Sequence, residues 1–184
     1  MKRKPQILST REISKTRLFS IEEMELKFSN GNQVCYERIK GSARGGGVLV
    51  VPILDSGEII LVREYCVGVE NYELMFPKGR VEDGEPIEEA ANRELQEEIG
   101  YAAKDIRLLK SMSLAPGYIN HMTHIVIAKN LYPSSLPGDE PEPLEAERWP
   151  IEDIEELVLR PDVSEGRTIA AAYLVRSLWQ SGEL

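Results

Sequence analysis

The stretch GRVEDGEPIEEAANRELQEEIGY, residues 79–101, concentrates acidic side chains in a segment with helical character. Pro86 suits a first helical turn and Gly100 suits the position just past the last turn, so we predict a helix over residues 86–99. Three of its glutamates have i, i+3 and i+4 spacing and share one face: Glu94, Glu97 and Glu98. Like charges at this spacing destabilise a helix by roughly 0.2–0.5 kcal/mol per pair, so this face requires an explanation beyond helix formation.

A divalent cation would relieve the repulsion on this acidic face. Mg²⁺ and Mn²⁺ take oxygen ligands, and Mg²⁺ commonly bridges a few carboxylates to the phosphates of a substrate. Arg93 lies beside the cluster and can hold its carboxylates, or that of Glu85, in place. Gly79 and Gly84 permit a tight loop close to the site. The residues therefore indicate a metal-dependent phosphate site, and the plainer alternative is a solvated helix face.

The composition is that of an ordinary globular chain, and it does not exclude an anionic small-molecule substrate. Its 184 residues, 42% hydrophobic and 29% charged, suit one domain, or one domain with an accessory arm. No apolar run reaches about 18 residues, as a helical membrane span would need, and the basic N-terminus lacks the apolar region of a signal peptide. Cys35 and Cys66 stand apart and outside any metal motif, so we expect a cytoplasmic protein. The net charge of −9 argues against nucleic-acid and anionic-membrane partners.

Apolar runs and turn residues predict a mixed α/β chain. Strands are expected at 18–28, 33–40, 48–54, 58–67, 104–113 and 123–129, and helices at 86–99, 151–159 and 164–180. A turn at Asn30-Gly31 makes the first two strands a hairpin, and we expect the next two strands to pair as well. The glycine-rich segment 41–47 predicts a hinge. We therefore divide the chain into an N-terminal hairpin arm, residues 1–45, and a main domain, residues 46–184.

The strands and helices follow no regular βαβ order, which favours an α/β sandwich with a mixed sheet. Two long loops are expected between them: SLAPGYINHM at 113–122 and a Pro- and Glu-rich loop at 132–148. The second loop has the length of a flexible lid over an active site.

Residues 79–101 match the Nudix box at every position that this motif specifies: Gly79, Glu85, Arg93, Glu94, Leu95, Glu97, Glu98, Gly100 and Tyr101. The chain therefore resembles the Nudix hydrolases, which cleave nucleoside diphosphates linked to another moiety, X. The resemblance implies an α/β/α sandwich in which water cleaves the diphosphate with the aid of Mg²⁺ or Mn²⁺. The metal ligands it implies are Glu94, Glu97, Glu98 and the carbonyl of Gly79. Its catalytic candidates within the box are Arg93, Glu97 and Glu98, and the residues that organise the box are Glu85 and Gly100.

Features outside the box resemble the ADP-ribose pyrophosphatase branch of the family, and most of all the bacterial ADP compounds hydrolase type. They are Pro116, fifteen residues beyond Tyr101, the segment LVREYCVGVENYELMFPKG at 61–79, and the pair Tyr36-Glu37 in the hairpin. The resemblance implies a homodimer that hydrolyses ADP-ribose, NADH, Ap3A and ADP-sugars to AMP and X-phosphate. In that branch the aromatic ring stacks on adenine and the acid accepts from its amino group. The alternatives are an ordinary turn proline and an ordinary strand tyrosine.

One substrate contact of the branch is absent from the sequence. Where the branch has Gln-aromatic-Arg after the second strand, this chain has Glu64-Tyr65-Cys66, and Arg63 can substitute for the missing arginine. The candidates for substrate binding are Tyr36, Glu37, Arg38, Arg44 and Arg63. Glu142 lies where the branch carries a catalytic acid in its loop, although a Pro-flanked acidic loop can also be simply solvated.

Two alternative functions stay open at this point. A GDP-sugar or dinucleoside polyphosphate hydrolase would share the fold and the box, because Glu37 does not by itself exclude guanine. A non-catalytic regulatory module that binds a nucleotide belongs to a different class. Such modules usually lose glutamates of the box, and this box has all of them.

Overall fold

The computed structural model of the chain describes residues 2–41 and 45–184. Its strands are β1 (Gln6–Lys15), β2 (Ser20–Lys27), β3 (Gln33–Lys40), β4 (Gly47–Pro52), β5 (Glu58–Cys66), β6 (Asn71–Met75), β7 (Lys78–Arg80), β8 (Tyr101–Ser113), β9 (Ile119–Asn120), β10 (Met122–Pro133) and β11 (Glu145–Pro150). Its helices are α1 (Ile87–Glu98), α2 (Ile154–Val158) and α3 (Gly166–Ser181), with a 3₁₀ turn at Ile151–Asp153 before α2. Arg44 and the centre of the expected hinge at 41–47 lie outside the described residues.

Within the described residues the strands form three sheets. The central sheet has the order β7-β4-β10-β8, in which β4 and β10 are parallel and the other neighbours are antiparallel. A second sheet has the order β11-β5-β6, and the arm sheet has the order β1-β2-β3-β9. Parallel and antiparallel neighbours therefore occur within one sheet, and the predicted mixed α/β sandwich is confirmed.

Helices cover both faces of the central sheet. On one face α1 packs Ala90, Ala91 and Leu95 against Val48 and Val50 of β4. On the opposite face the buried residues of α3 and of the strands form the larger core cluster, which includes Leu49, Val51, Ile125, Ile127, Ala171, Ala172 and Val175. Alternate residues of β4 thus face different helices, as the period of a strand requires. Burying one leucine stabilises the fold by about 1.5–3 kcal/mol, so this packing determines where the glutamates of α1 stand.

The expected pairing of the strands 48–54 and 58–67 is wrong. β4 and β5 belong to different sheets, and in the described residues the two expected segments are joined by an isolated bridge between Ile53, just past the end of β4, and Ile59. The turn between them is present, with Gly57 at φ +81°, but it directs β5 out of the central sheet. β5 forms a hairpin with β6, the strand that follows it, whereas β11 and the partners of β4, which are β7 and β10, are distant in the sequence. Sequence order carries no information about such pairings.

The predicted hairpin is one part of a larger arm. β2 and β3 pair antiparallel, and Gly31 in their turn has φ +89°. β1 pairs with the other edge of β2. The sequence did not predict this strand, because every residue of Gln6–Lys15 is exposed and its apolar residues do not alternate regularly. β9 pairs with β3 through Ile39 and Ile119, which joins the arm to the loop 113–122.

The C-terminal third departs from prediction in two places. The segment 132–148 is not one loop, because β10 extends to Pro133 and β11 begins at Glu145 and pairs with β5. What remains is a loop at 134–144. Residues 151–159 form the 3₁₀ turn and the short α2 instead of one helix. Among the described helices, none is long and apolar enough to cross a membrane.

Candidate active site

The helix α1 carries the acidic face at the edge of its packing surface. Pro86 is its extended N-cap, and Gly100 follows its end with φ +71°, so the helix agrees with the prediction to within a residue at each end. Because the apolar stripe of α1 faces β4, the neighbouring acids are drawn inward. Glu94 and Glu98 are 7% and 8% exposed, and Glu97 is partly exposed. The three carboxylates predicted to share a face therefore stand on a largely buried surface.

Arg93 connects the acidic face to the loop that precedes the helix. Its Nη1 donates to Oε1 of Glu94 at 2.7 Å and to Oε2 of Glu97 at 3.0 Å. Its Nε and Nη2 donate to the two oxygens of Glu85 at 3.0 and 3.1 Å, and Nη2 also donates to the carbonyl of Arg80 at 2.8 Å. The guanidinium holds the pKa of Glu85 below its usual range, and these bonds raise the pKa of Arg93. Arg93 thus binds loop and helix into one unit.

Glu98 is the most strongly perturbed acid of the site. Burial raises its pKa to about 9, against the opposing effect of Lys78. The backbone N–H of Lys78 donates to Glu98 at 3.3 Å, while the ammonium of Lys78 forms an ion pair with Glu64. Burial also raises the pKa of Glu94. Two carboxylates are therefore held where water does not fully compensate their charge, which is the electrostatic setting that a bound cation would favour.

Gly79 allows the acidic face to approach the backbone. A Cβ built on Gly79 would overlap the carboxylate of Glu94, so no other residue fits there without a shift. The carboxylates are hard oxygen donors of the type that Mg²⁺ and Mn²⁺ prefer, and the donor set fits such an ion. Within residues 2–41 and 45–184 no three His, Cys, Asp or Glu side chains converge as a preformed metal site. Here Arg93 draws Glu94 and Glu97 toward itself, so binding a metal would exchange bonds to Arg93 for bonds to the cation.

The loop 134–144 closes the acidic face from the other side. A cavity of about 440 Å³ lies between the box and this loop, and a neighbouring one of about 260 Å³ is lined by Glu97, Glu98, Glu140 and Glu142. The structure thus brings Glu142, the loop acid singled out from the sequence, together with two glutamates of the box. The hydroxyl of Tyr72 donates to Oε1 of Glu142 at 2.6 Å. This contact was not predicted, because it joins β6 to a loop far along the chain.

The arm forms a separate cavity of about 340 Å³ that contains most of the predicted substrate-binding residues. It is lined by Met24, Leu26, Phe28, Tyr36, Glu37, Arg38 and Pro116–Asn120. The ring of Tyr36 is half exposed and tilted against that of Phe28, with 6.5 Å between centroids. Arg38 donates to the buried Glu22 at 2.7 and 2.9 Å, and this pairing lowers the pKa of Glu22. Tyr36 and Glu37 are therefore the available groups, whereas Arg38 is already paired.

Arg63 lies away from both sets of residues. It donates to Asp162 at 2.9 Å and approaches Glu147 at 3.4 Å, which ties β5 to β11 and to the segment before α3. Lys78 is a neighbour of the box that the sequence did not single out as a site residue, and it lines the 440 Å³ cavity. Its charge acts to lower the pKa of Cys66, against the effect of burial. Cys66 stands at the position where the branch has arginine. Lys78 directly precedes the box, so its place in the sequence was the available signal.

Comparison with known proteins gives consistent matches along the chain. Residues 5–38 match the NudE-type Nudix hydrolase N-terminal domain, and residues 43–172 match the NUDIX domain. The chain is 47% identical over 180 residues to the ADP compounds hydrolase NudE of Escherichia coli (strain K12), with 98% of this chain and 95% of that protein covered. It is 31% identical over 180 residues to the ADP-ribose pyrophosphatase of Bacillus subtilis (strain 168), with 93% of each covered.

A solved structure agrees with these matches. The crystal structure of an ADP compounds hydrolase superposes with a TM-score of 0.90 at 46% identity, and the match covers 100% of this chain and 97% of that one. The resemblance drawn from the box and from the segments around it is thereby confirmed. The chain belongs to the Nudix hydrolase family and is a hydrolase of its NudE type.

Proposed function

We propose that this enzyme hydrolyses the diphosphate bond of ADP-X compounds to AMP and X-phosphate, with ADP-ribose, NADH, Ap3A and ADP-sugars as the substrate class. The observation that carries the proposal is the combination of an intact acidic box with an arm cavity that presents Tyr36 and Glu37. The curated relatives named above, an ADP compounds hydrolase and an ADP-ribose pyrophosphatase, support the same class.

Nudix hydrolases need divalent metal ions, and we propose Mg²⁺ for this one, with Mn²⁺ as the alternative. The residues that would hold it are Glu94, Glu97, Glu98 and the carbonyl of Gly79. Such an ion neutralises the charge of a diphosphate and lowers the pKa of a bound water. Before the ion binds, Arg93 holds Glu94 and Glu97 on one side of the cavity, and these bonds would be exchanged for bonds to the ion.

The chemical step requires a base that takes a proton from the attacking water. Glu142, Glu97 and Glu98 line one cavity and are the candidates. The water oxygen bonds to one phosphorus, its proton passes to the carboxylate, and the bridging oxygen leaves on the other phosphate. Among the three, Glu142 is the only one outside the proposed ligand set, so it is the base we propose.

Recognition of adenine would belong to the arm. Tyr36 presents a half-exposed ring to the 340 Å³ cavity, and stacking of a base on an aromatic ring contributes about 1–3 kcal/mol in nucleic-acid complexes. The carboxylate of Glu37 can accept from the 6-amino group of adenine. Arg38, Arg44 and Arg63 remain predictions for phosphate binding, and Lys78 is a further cation at the box.

We further propose that the arm, residues 1–45, mediates a cytoplasmic homodimer and that residues 46–184 form the catalytic domain. Every residue of β1 is exposed, and the exposed apolar side chains of this region include Ile7, Leu8, Ile13, Leu18 and Phe19. A second copy of the chain would cover them. Light scattering should give twice the mass of one chain, and a monomeric mass at micromolar concentration would contradict the dimer.

Product analysis tests the activity. Purified protein with Mg²⁺ is incubated with ADP-ribose, NADH, Ap3A, ADP-glucose and GDP-mannose, and the products are separated by chromatography. AMP should appear from several ADP compounds, and it should disappear with EDTA and in Glu98→Gln. Glu88→Gln, an exposed glutamate on the same helix, is the matched control and should retain activity.

Two other outcomes would contradict parts of the proposal. Turnover of GDP-mannose alone would keep the metal site and remove the adenine role of Tyr36 and Glu37. Binding of a nucleotide without any turnover would favour the non-catalytic module.

A further inference from the structure

The loop 134–144 is attached to the rest of the molecule at a few defined points. At its start the backbone N–H of Leu136 donates to the carbonyl of Gln96 at 3.1 Å, and the Ser134 hydroxyl donates to the Gln96 side chain at 2.9 Å. At its end β11 begins and pairs with β5. Between these anchors lies Glu142, whose carboxylate accepts from Tyr72 at 2.6 Å. The loop is therefore tied to α1, to β5 and, through Glu142, to β6.

Tyr72 is well placed to act as a donor. It stands opposite Tyr65 in the β5–β6 ladder, and the two rings meet edge to face with 5.4 Å between centroids and 69° between planes. This contact orients the half-exposed ring of Tyr72 independently of the loop. The hydrogen bond to Glu142 raises the pKa of Tyr72, so the phenol keeps its proton and remains the donor at neutral pH.

The need for such a donor follows from the charges around the loop. Glu142 shares its cavity with Glu97 and Glu140, and carboxylates of like charge repel one another. The loop reaches this acidic cavity against that repulsion. The neutral hydroxyl of Tyr72 donates to Oε1 of Glu142 and so offsets part of this repulsion without adding a charge. The other carboxylate oxygen of Glu142, Oε2, has no bond to Tyr72.

We propose that Tyr72 is a positioning residue that holds Glu142 at the acidic face of α1 through its hydroxyl. The proposal rests on the function proposed above, because it gives Glu142 a role in removing a proton from water. It adds a residue of β6, outside the box, to the groups on which the reaction depends. Tyr72 itself does not touch the reacting atoms.

The kinetic test compares two substitutions that keep the ring contact. Tyr72→Phe removes the hydroxyl that binds Glu142, and Tyr65→Phe removes the hydroxyl of its ring partner. With ADP-ribose and Mg²⁺, Tyr72→Phe should lower kcat about tenfold, the usual effect of losing one hydrogen bond to a charged group. KM should stay within about a factor of two, since no substrate contact is removed. Tyr65→Phe should resemble the wild type.

A double-mutant cycle separates positioning from a general loss of structure. If Tyr72 acts through Glu142, the substitution Tyr72→Phe should cause no further loss of kcat in a Glu142→Gln background. Independent, multiplicative losses would overturn the proposal. A loss in Glu142→Gln combined with full activity in Tyr72→Phe would also overturn it, while leaving Glu142 as the base.

Hydrogen–deuterium exchange gives a reading that needs no activity. The peptide 134–144 should exchange faster in Tyr72→Phe than in the wild type, and Tyr65→Phe should not change it. Unchanged exchange in Tyr72→Phe would overturn the proposal. Faster exchange in a protein that hydrolyses none of the ADP compounds would support the contact and contradict the proposed function, so the two failures are distinguishable.

Discussion

The box and the arm present their functional groups in opposite ways. In the box, Glu94 and Glu98 are almost fully buried, and Arg93 connects Glu85, Glu94 and Glu97 through bonds of 2.7–3.1 Å. In the arm, Tyr36 and Glu37 are exposed on a strand whose sheet ends in the fully exposed β1. The glutamates proposed for the chemical step are thus fixed by contacts within one chain. The arm residues proposed for substrate recognition lie on a surface that a second copy of the chain can cover.

Because of this difference, substitutions in the box and in the arm should change different kinetic constants. Changes in the box should act on kcat, because they disturb groups whose arrangement matters in the transition state. Changes in the arm should act on KM, because they remove contacts that substrate and transition state share. The following predictions test that distinction.

The largest effect is expected for Glu97→Gln. It removes one charge from the proposed metal ligands and one acceptor of Arg93, so kcat with ADP-ribose should fall about 10³-fold, as for other losses of electrostatic stabilisation in active sites. Steady-state kinetics with saturating Mg²⁺ measure this. Glu89→Gln, an exposed glutamate of the same helix, is the control and should stay near the wild-type rate. Equal effects in both variants would show that net charge, rather than the acidic face, controls the rate.

The next effect is expected for Gly79→Ala. The added Cβ would overlap the Glu94 carboxylate and displace it, and a displacement of about 1 Å at an active site can cost about 10²-fold in rate. Gly68→Ala is the control, because a Cβ on Gly68 meets no atom within 4 Å. Activity assays together with thermal melts distinguish a moved carboxylate from unfolding. A fully active Gly79→Ala would show that the approach of Glu94 to the backbone is not required.

A smaller effect is expected for Tyr36→Ala in the arm. Loss of base stacking should raise KM for ADP-ribose about tenfold and leave kcat nearly unchanged. Tyr36→Phe should retain most of the affinity, and Cys35→Ser, the exposed neighbour in the same strand, should be neutral. A fall in kcat with constant KM would remove the distinction between box and arm.

A further effect is expected on the stability of the metal-free protein. The pKa of Glu98 is raised from 4.5 to about 9 by burial, in the presence of Lys78, Glu94 and Glu140. The folded state therefore holds this proton to higher pH than the unfolded state, and stability should fall as pH rises between these two values. Glu98→Gln cannot lose a proton, so its Tm in EDTA should decline less over this range. Parallel declines of wild type and variant would contradict the cause assigned to the shift.

The sequence was most informative where structure is local. The helix at 86–99, its glycine stop and the turn at Gly31 depend on neighbouring residues, and all three are present. β1 and β11 were missed because one is exposed throughout and the other lies in a Pro- and Glu-rich segment, so only their partner strands define them. β6 and β7 were missed because they are short, so that their pairing with β5 and β4 defines them rather than their own sequence pattern.

The site divides in the same way. The glutamates of the box follow from one contiguous motif, and the structure places Glu94, Glu97 and Glu98 on α1, with Glu85 in the loop before it. The pairing of Arg63 with Asp162 and the contact of Tyr72 with Glu142 join residues far apart in the sequence. Sequence periodicity and residue spacing do not predict such contacts, because they depend on which strands and loops meet after folding.

The separation of β4 and β5 into different sheets has a consequence for the order of folding. The parallel partner of β4 is β10, and an outer partner of β5 is β11, so both sheets are completed by segments made late in synthesis. α1 is made earlier, and an isolated helix of 12 residues whose carboxylates repel one another is only marginally stable. Because β10 lies between β4 and β8, on which α1 packs, the acidic face should take its folded position only when β10 docks.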